Sequence, residues 1–187
     1  MKVVCGLGNP GPEYDDTRHN VGWWLVDRLA ADWKLGSFRR RGPALEASGR
    51  VGEHDVVLLK PQTYMNRSGA ALAALRRAVE FDPASDLLVV VDDAAIDLGR
   101  LRFRPSGTAG GHNGLKSVEA ALGSREYARL RIGVGPVPQG VDMADFVLSR
   151  MKRSDEEVLL ERLAPAADGV RTWLDEGIAA AMNRYNG

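Results

Sequence analysis

Histidine and aspartate side chains lie in polar segments of this sequence, next to apolar runs that are typical of strands. His19 lies in the segment TRHN, and Asp92 directly follows the apolar run LLVVV. A neutral imidazole accepts a proton near pH 7, and a carboxylate on its other nitrogen fixes the tautomer and stabilises the imidazolium. Such a base supplies about 10²–10⁴-fold in rate. The two residues are therefore candidates for activating water against an ester or acyl bond.

Amide side chains occur in the neighbouring segments and could assist the same reaction. They are Asn9, Asn66 and Asn113. An amide can donate a hydrogen bond to a carbonyl or to a developing oxyanion, and losing one such donor costs about 10²–10³ in turnover. The absence of a G-x-S-x-G elbow disfavours a serine nucleophile. Cys5 could pair with His19 as a nucleophile, although a small buried strand residue is the favoured interpretation.

The segment GLGNPG at residues 6–11 matches the G-x-G-x-x-G spacing of dinucleotide-binding loops. That interpretation requires the third glycine to lie at the start of a helix that packs on the sheet. Pro12 biases Gly11 away from helical backbone angles, and the first predicted helix begins only near Asn20. A nucleotide-dependent oxidoreductase is therefore a disfavoured alternative, and we expect no cofactor.

Length and composition favour an ordinary globular enzyme. The chain has 187 residues, of which 44% are hydrophobic, so we expect one domain spanning 1–187. Cys5 is the one cysteine, which excludes an internal disulfide and fits a cytoplasmic location. We expect no signal peptide and no membrane span, since no apolar run approaches the necessary ~18 residues. The histidines lack metal-ligand spacing, so no metal site is expected.

Hydrophobic patterning predicts an α/β fold with a mixed sheet. Strands are predicted over residues 1–5, 44–51, 54–60, 86–92, 99–104 and 128–134. Helices are predicted over residues 20–33, 68–80 and 113–122, with one or two more between 155 and 183. Polar clusters follow the first, third and central strands, and the carboxyl ends of strands are where α/β sheets bind ligands. The clusters are therefore expected to converge on one site.

Local signals refine this prediction at three places. The run FRRRGP at 38–43 indicates a mobile loop. Ser154 and Glu157 have capping-box spacing at the start of a late helix. Pro165 and Gly169 are expected to divide or kink that helix.

Arginines alternate with apolar residues in two of the predicted strands. Arg100, Arg102 and Arg104 oppose Leu101 and Phe103, while Arg129 and Arg131 oppose Leu130 and Ile132. Residues at i and i+2 share one face of a strand. If the two strands are neighbours, the arginines form a positive patch suited to phosphates. An ordinary solvated strand face remains the alternative.

Five motifs together resemble the bacterial peptidyl-tRNA hydrolase family, in that family's order. They are GLGNPGPEYDDTRHNVG, LLKPQTYMNRSG, VVVDD, GTAGGHNGLKS and RLRIGVGP. The resemblance covers nearly the whole chain and is weakest over 34–50 and after about 150. It implies a monomeric α/β protein that hydrolyses the ester joining a peptide to the 3′-terminal ribose of tRNA. It also implies that no metal or cofactor is needed.

The resemblance assigns roles residue by residue. It implies that His19 is the catalytic base, that Asp92 supports it, and that Asn9 distinguishes N-blocked peptidyl groups from free aminoacyl groups. It further implies a set of residues that bind the substrate and the tRNA end: Tyr14, Tyr64, Met65, Asn66, His112, Asn113, Arg104 and Arg131. The tyrosines can stack on an unpaired base, and the arginines can meet the terminal phosphates. In this interpretation Gly6, Gly8 and Gly11 keep backbone out of the substrate cleft.

The sequence departs from the family pattern after the paired aspartates. It reads DDAAIDLG, with Ala95 where the family has a third acid, and Val91 precedes the first aspartate where histidine is common. These changes leave His19 and Asp92 intact. An RNA-binding protein on the same scaffold is the alternative to an enzyme, because plastid relatives of the family act in intron splicing. Water activation by His19 and direct attack by His19 both remain open.

Overall fold

The computed structural model describes residues 1–187 and is built around one seven-stranded sheet. Its strands are β1 Lys2–Gly6, β2 Arg39–Arg41, β3 Ala44–Val51, β4 His54–Pro61, β5 Leu87–Asp97, β6 Leu101–Arg104 and β7 Ala128–Gly135. Their order across the sheet is β2-β3-β4-β1-β5-β7-β6. The four central strands β4, β1, β5 and β7 run parallel, whereas β2, β3 and β6 pair antiparallel with their neighbours. The predicted mixed sheet is confirmed.

Helices cover both faces of the sheet. They are α1 Val21–Asp32, α2 Pro83–Asp86, α3 Asn113–Leu122, α4 Met143–Leu148, α5 Arg153–Glu176 and α6 Ile178–Tyr185. The larger core joins α1, α5 and α6 to one face, and the smaller core lies beneath α3 on the other. Strand β5 contributes side chains to both cores, because Leu88 and Val90 pack in the larger core while Val89 and Val91 pack in the smaller one. No helix is both long enough and apolar enough to cross a bilayer.

The strand register brings the polar loops to one edge of the sheet. Gly6 at the end of β1 aligns with Val90 of β5, and Asp92 aligns with Ile132 of β7. Since β1, β4 and β5 run parallel, the loops that follow them open on the same side. The glycine-rich loop before α3 leads to the same edge, because the His112 side chain reaches Asp92 at the end of β5. The expected convergence of the polar clusters is confirmed.

Four local predictions were wrong, and three of them concern helices. Residues 68–80 form short 3-10 turns, Met65–Ala71 and Leu75–Arg77, instead of an α-helix. Buried Ser68 donates to the Met65 carbonyl, a local bond that competes with helix formation. Lys152 precedes α5, so Ser154 lies inside that helix and makes no cap. Of the two outcomes predicted at Pro165 and Gly169, division of the helix is wrong: α5 continues through both residues, and buried Leu163 and Ala166 hold it on both sides of Pro165.

The fourth concerns Arg39–Arg41, which form edge strand β2 rather than a loop. All three residues are exposed, so no alternation of apolar residues marked this strand in the sequence. It pairs with β3 through a tight turn in which Arg41 lies opposite Ala44.

Gly6 and Gly8 serve packing rather than the substrate cleft. A Cβ atom on Gly6 would overlap the carbonyl oxygen of Gly22, and one on Gly8 would lie 2.8 Å from the ring of Trp23. The two glycines therefore let α1 lie directly against the end of β1. Gly11 adopts a φ of 122°, which favours glycine and turns the chain toward the 3-10 turn that follows.

Candidate active site

A cleft of about 380 Å³ opens at the carboxyl edge of the parallel strands. Ten of the eleven sequence-predicted site residues line it: Asn9, Tyr14, His19, Tyr64, Met65, Asn66, Asp92, His112, Asn113 and Arg131. Arg104 does not. It lies in a separate depression beside Arg100 and Arg102 at the β6 edge of the sheet. The structure thus unites residues that are far apart in sequence and separates one of the two arginines from them.

His19 and Asp92 form a hydrogen-bonded pair in this cleft. A 3-10 turn over Arg18–Asn20, directly before α1, presents the histidine, and the end of β5 presents the aspartate. Nδ1 of His19 lies 2.9 Å from both carboxylate oxygens of Asp92. That nitrogen therefore carries the proton and donates it, which leaves Nε2 unprotonated and free of any protein partner. Nε2 is the atom that can accept a proton from a bound molecule.

His112 contacts the same carboxylate from the other side. Its Nε2 lies 3.0 Å from Oδ1 of Asp92, and its Nδ1 accepts the backbone N–H of Gly114 at 3.1 Å as the N-cap of α3. The accepting role fixes the tautomer, so Nε2 carries the proton and donates it to Asp92. Both ring nitrogens are thus occupied. His112 lies in the cleft lining as predicted, yet it has no nitrogen left for substrate.

The Asp92 carboxylate is 2% exposed and is held charged by its surroundings. Burial would raise the pKa of this carboxyl, but the adjacent imidazoles of His19 and His112, each of which donates an N–H to it, outweigh burial and hold the pKa below its ordinary value. A permanently charged carboxylate can stabilise an imidazolium at His19.

The same three residues could in principle hold a metal ion, because their ligand atoms all lie within 4.8 Å of one another. The N-cap bond of His112 opposes this. If Nε2 gave its lone pair to a metal, Nδ1 would need a proton and would meet the N–H of Gly114. The arrangement is better suited to holding and moving protons.

Asn9 is held so that its amide donor faces the cleft. Its Oδ1 accepts the backbone N–H of Met65 at 2.7 Å. Its backbone N–H and C=O bond reciprocally to the side chain of Asn20, at 2.8 and 3.0 Å. The Nδ2 group has no partner in the protein and can donate to a substrate oxygen. Sequence analysis missed Asn20, whose signal was its position directly after His19 in TRHN.

The entrance to the cleft combines aromatic, amide and apolar groups. Tyr14 and Tyr64 make an edge-to-face contact, with ring centroids 6.5 Å apart. Asn66 and Asn113 are exposed where they line the cleft. The apolar wall comes from α4, a helix that sequence analysis did not predict, through Met143, Ala144, Val147 and Leu148. Short length concealed α4, since six residues are too few to show a helical period.

The arginine patch is only partly as predicted. Strands β6 and β7 are neighbours, with Arg102 opposite Arg131 and Arg104 opposite Arg129. Arg129 is 1% exposed, because its guanidinium lies over the Tyr127 ring and donates to backbone carbonyls. Arg131 lines the cleft and donates to the Thr108 carbonyl at 2.8 Å, and it also contacts Asp93. Arg129 is therefore unavailable to phosphate.

A buried carboxylate, a histidine with one free ring nitrogen and a free amide donor lie together at the edge of a mixed α/β sheet, and this arrangement is suited to the chemistry of a hydrolase. The family model described as peptidyl-tRNA hydrolase matches residues 3–187. A peptidyl-tRNA hydrolase of Gemmatimonas aurantiaca is 48% identical over 187 residues, covering 98% of each chain. One of Chloroflexus aggregans is 48% identical over 186 residues, covering 100% of this chain and 99% of the relative.

The fold of this chain is also similar to that of solved structures. The crystal structure of peptidyl-tRNA hydrolase from Acinetobacter baumannii has a TM-score of 0.92 at 30% identity, covering 100% of this chain and 95% of that one. The chain belongs to the peptidyl-tRNA hydrolase family. It is an enzyme that hydrolyses peptidyl-tRNA, releasing tRNA and peptide.

Proposed function

We propose that His19 is the general base of this hydrolysis and that the whole chain forms one catalytic domain. The observation that carries the proposal is the orientation of His19, whose Nδ1 is held by Asp92 while Nε2 faces the cleft without a partner. Nε2 takes a proton from water, and the water oxygen attacks the ester carbonyl carbon. The C–O bond to the ribose then breaks, and the imidazolium returns the proton to the ribose oxygen.

The amide donors stabilise the charge that develops on the carbonyl oxygen. Asn9 offers Nδ2, which no protein group occupies, and Asn66 and Asn113 line the same cleft. Fixing Oδ1 on the Met65 N–H prevents the Asn9 amide from rotating, so its donor is in place before the reaction begins. Asp92, which His112 also contacts, keeps the neutral base in one tautomer and stabilises the imidazolium that forms when Nε2 takes the proton.

The tRNA end is bound by the rim of the cleft. Tyr14 and Tyr64 offer aromatic faces for the unpaired 3′ bases, since Tyr64 is 60% exposed. Arg131, beside the glycine loop, meets the terminal phosphates, and Arg104 meets phosphate at the β6 edge. We propose that the protein acts as a monomer, as the resemblance to the family implies. Because peptidyl-tRNA is made by ribosomes, we place the reaction in the cytoplasm.

One assay tests the proposal. N-acetylated aminoacyl-tRNA is incubated with the enzyme in the presence of a chelator, and release of tRNA is measured. We expect full activity with the chelator, and a loss of orders of magnitude in kcat for His19→Ala with tRNA affinity retained. Near-normal kcat in the His19→Ala protein would contradict the assigned base. tRNA binding without release by the unchanged protein would support an RNA-binding role instead.

The same substrate distinguishes direct nucleophilic attack by His19 from activation of water by His19. Nucleophilic attack would leave the acetyl-aminoacyl group on the histidine, visible as a mass increase of the intact protein in rapid-quench samples. We expect no such adduct, because water activation forms no covalent intermediate.

A further inference from the structure

Arg18 is a buried cation next to the catalytic base, and the reaction described above does not use it. The residue is 6% exposed. Its Nη1 donates to the Phe146 carbonyl at 3.0 Å and to Oγ of Ser149 at 3.2 Å. Its guanidinium carbon lies 3.8 Å from the centre of the Phe146 ring. Burial lowers the pKa of this guanidinium, while Asp155, 3.5 Å from Nη2, opposes that change.

Residues 138–149, here called the lid segment, depend on this contact for their attachment. Every residue from 138 to 145 is exposed, and within α4 only Phe146 and Val147 are buried. Phe146 offers Arg18 both its ring and its carbonyl. Arg150, the residue directly after the lid segment, forms an antiparallel bridge with Thr17 and so holds the end of the segment beside the same turn. The lid segment is thus fastened chiefly to the catalytic turn.

The residues of α4 on either side of Phe146 in sequence form the apolar wall of the cleft: Met143, Ala144, Val147 and Leu148. Arg18 and His19 are consecutive residues of one 3-10 turn, in which successive side chains diverge by about 120°. One side chain therefore reaches the lid segment while the next reaches Asp92. A displacement of Phe146 must act on the backbone that carries the catalytic base.

We propose that Arg18 is a positioning residue that couples the lid segment to His19, so that the base is correctly placed only when α4 lies over the cleft. This inference rests on the proposed role of His19. A direct role in binding phosphate is incompatible with the structure, since the side chain is 7% exposed and its named contacts are protein groups. A buried charge that served only stability could be replaced by apolar residues at little cost.

The test is a double-mutant cycle. Arg18→Lys keeps the charge but loses the planar stacking and the forked hydrogen bonds, and Phe146→Leu keeps an apolar side chain but loses the ring. We expect each change to lower kcat by roughly 10–100-fold, as small misplacements of a catalytic group do, with a smaller change in KM. The double variant should be little worse than either single one, because both break the same link.

A spin label reports the lid segment directly. Val141 is exposed and does not line the cleft, so Val141→Cys offers a labelling site, while buried Cys5 stays unlabelled. In the labelled protein, we expect Arg18→Lys and Phe146→Leu to increase the label's mobility. Asp155→Asn is the matched control: it removes an ion pair of the same arginine without touching Phe146, and both kcat and mobility should change little.

The outcomes separate this inference from the role of the base. Arg18→Lys and Phe146→Leu proteins that fold and retain normal kcat would overturn the coupling, as would strictly additive losses. Lost kcat with unchanged label mobility would also overturn it. If Arg18→Lys fails to fold, Phe146→Leu alone carries the test through kcat and mobility. Normal kcat in His19→Ala would instead refute the base, while the effect of Arg18→Lys on the label would still appear.

Discussion

Asp92 accepts hydrogen bonds from two histidines, of which one has a free ring nitrogen and the other has none. His112 has both nitrogens engaged, one by the carboxylate and one by the start of α3. His19 has one nitrogen engaged and one open to the cleft. Sequence analysis identified both histidines, but only the geometry shows which of them can take a proton. The difference arises because His112 is a helix cap and His19 is not.

Replacing the Asp92 carboxylate should change how the free energy of unfolding depends on pH in the acid range. The depressed pKa of Asp92 means that its carboxylate stabilises the fold fully above the unfolded pKa of about 3.9, and that this contribution is lost as pH falls toward the folded pKa. We expect Asp92→Asn to show a flatter decline of unfolding free energy between about pH 5 and pH 2. Urea denaturation at several pH values measures it.

The same variant should also lose activity, by less than His19→Ala, because the imidazole remains but has no charged partner. If the free energy of unfolding declines equally steeply with falling pH in the original protein and in Asp92→Asn, the depressed pKa of Asp92 is contradicted. Glu46→Gln, which removes a carboxylate 3.9 Å from an exposed arginine, is the control and should leave the profile unchanged.

The proposed role of Asn9 in selecting N-blocked substrates can be tested by substitution. A free aminoacyl-tRNA carries a cationic amine where peptidyl-tRNA carries a neutral amide. In Asn9→Asp one carboxylate oxygen can still accept from Met65 N–H, and the other presents negative charge to the cleft in place of the Nδ2 donor. We expect the preference for acetylated over free aminoacyl-tRNA to narrow. The ratio of the two kcat/KM values measures this, and an unchanged ratio would contradict the role.

At the scale of elements, patterned strands were predictable and irregular turns were not. The strands over 44–51 and 54–61 were predicted to within one residue, because a two-residue turn, Gly52 and Glu53, separates two segments that pair as a hairpin. The turns over 65–77 carried a helical composition, but tertiary contact with α3 overrides it: a Cβ on Gly69 would overlap the Ser117 carbonyl. No single-sequence signal reports a contact with a helix some 50 residues later.

The residues of the candidate site, like the secondary-structure elements, were only partly predictable from the sequence. Residue types and the ends of strands indicated the polar groups, whereas α4 and Asn20 required the structure. Arg104 shows the limit of strand alternation. The face of the strand was correct, yet the register places Arg104 opposite buried Arg129 and away from the cleft.

Substitutions of arginines in strands β6 and β7 allow the binding of tRNA to be measured separately from the chemical step. If Arg131 and Arg104 each meet one phosphate, replacing either with Ala should flatten the slope of log affinity against log salt by roughly 0.7–0.9. KM for tRNA substrates should rise more than kcat falls, because phosphate contacts mainly position the substrate. A minimal substrate without the acceptor-stem phosphates is the control. Equal losses on both substrates would make these arginines structural.

At the scale of the whole molecule, Cys5 reports global unfolding. It is 0% exposed in β1, and burial raises the pKa of its thiol to about 12. We expect iodoacetamide to leave the native protein unmodified at pH 8 and to react in proportion to the unfolded fraction in urea. Mass spectrometry measures the modified fraction. Rapid alkylation without urea would contradict the buried position, and Cys5→Ser should leave kcat nearly unchanged.

The position of β1 has a consequence for how the enzyme is made. It is synthesised before the other strands of the sheet, and its sheet neighbours β4 and β5 begin only at His54 and Leu87. A growing chain therefore holds an apolar strand without partners while the ribosome translates the intervening residues, and such long-range parallel pairing closes slowly. Asn9 and His19 leave the ribosome long before Asp92 does. Until β5 emerges, the nascent enzyme is itself a peptidyl-tRNA, and its candidate active site still lacks Asp92.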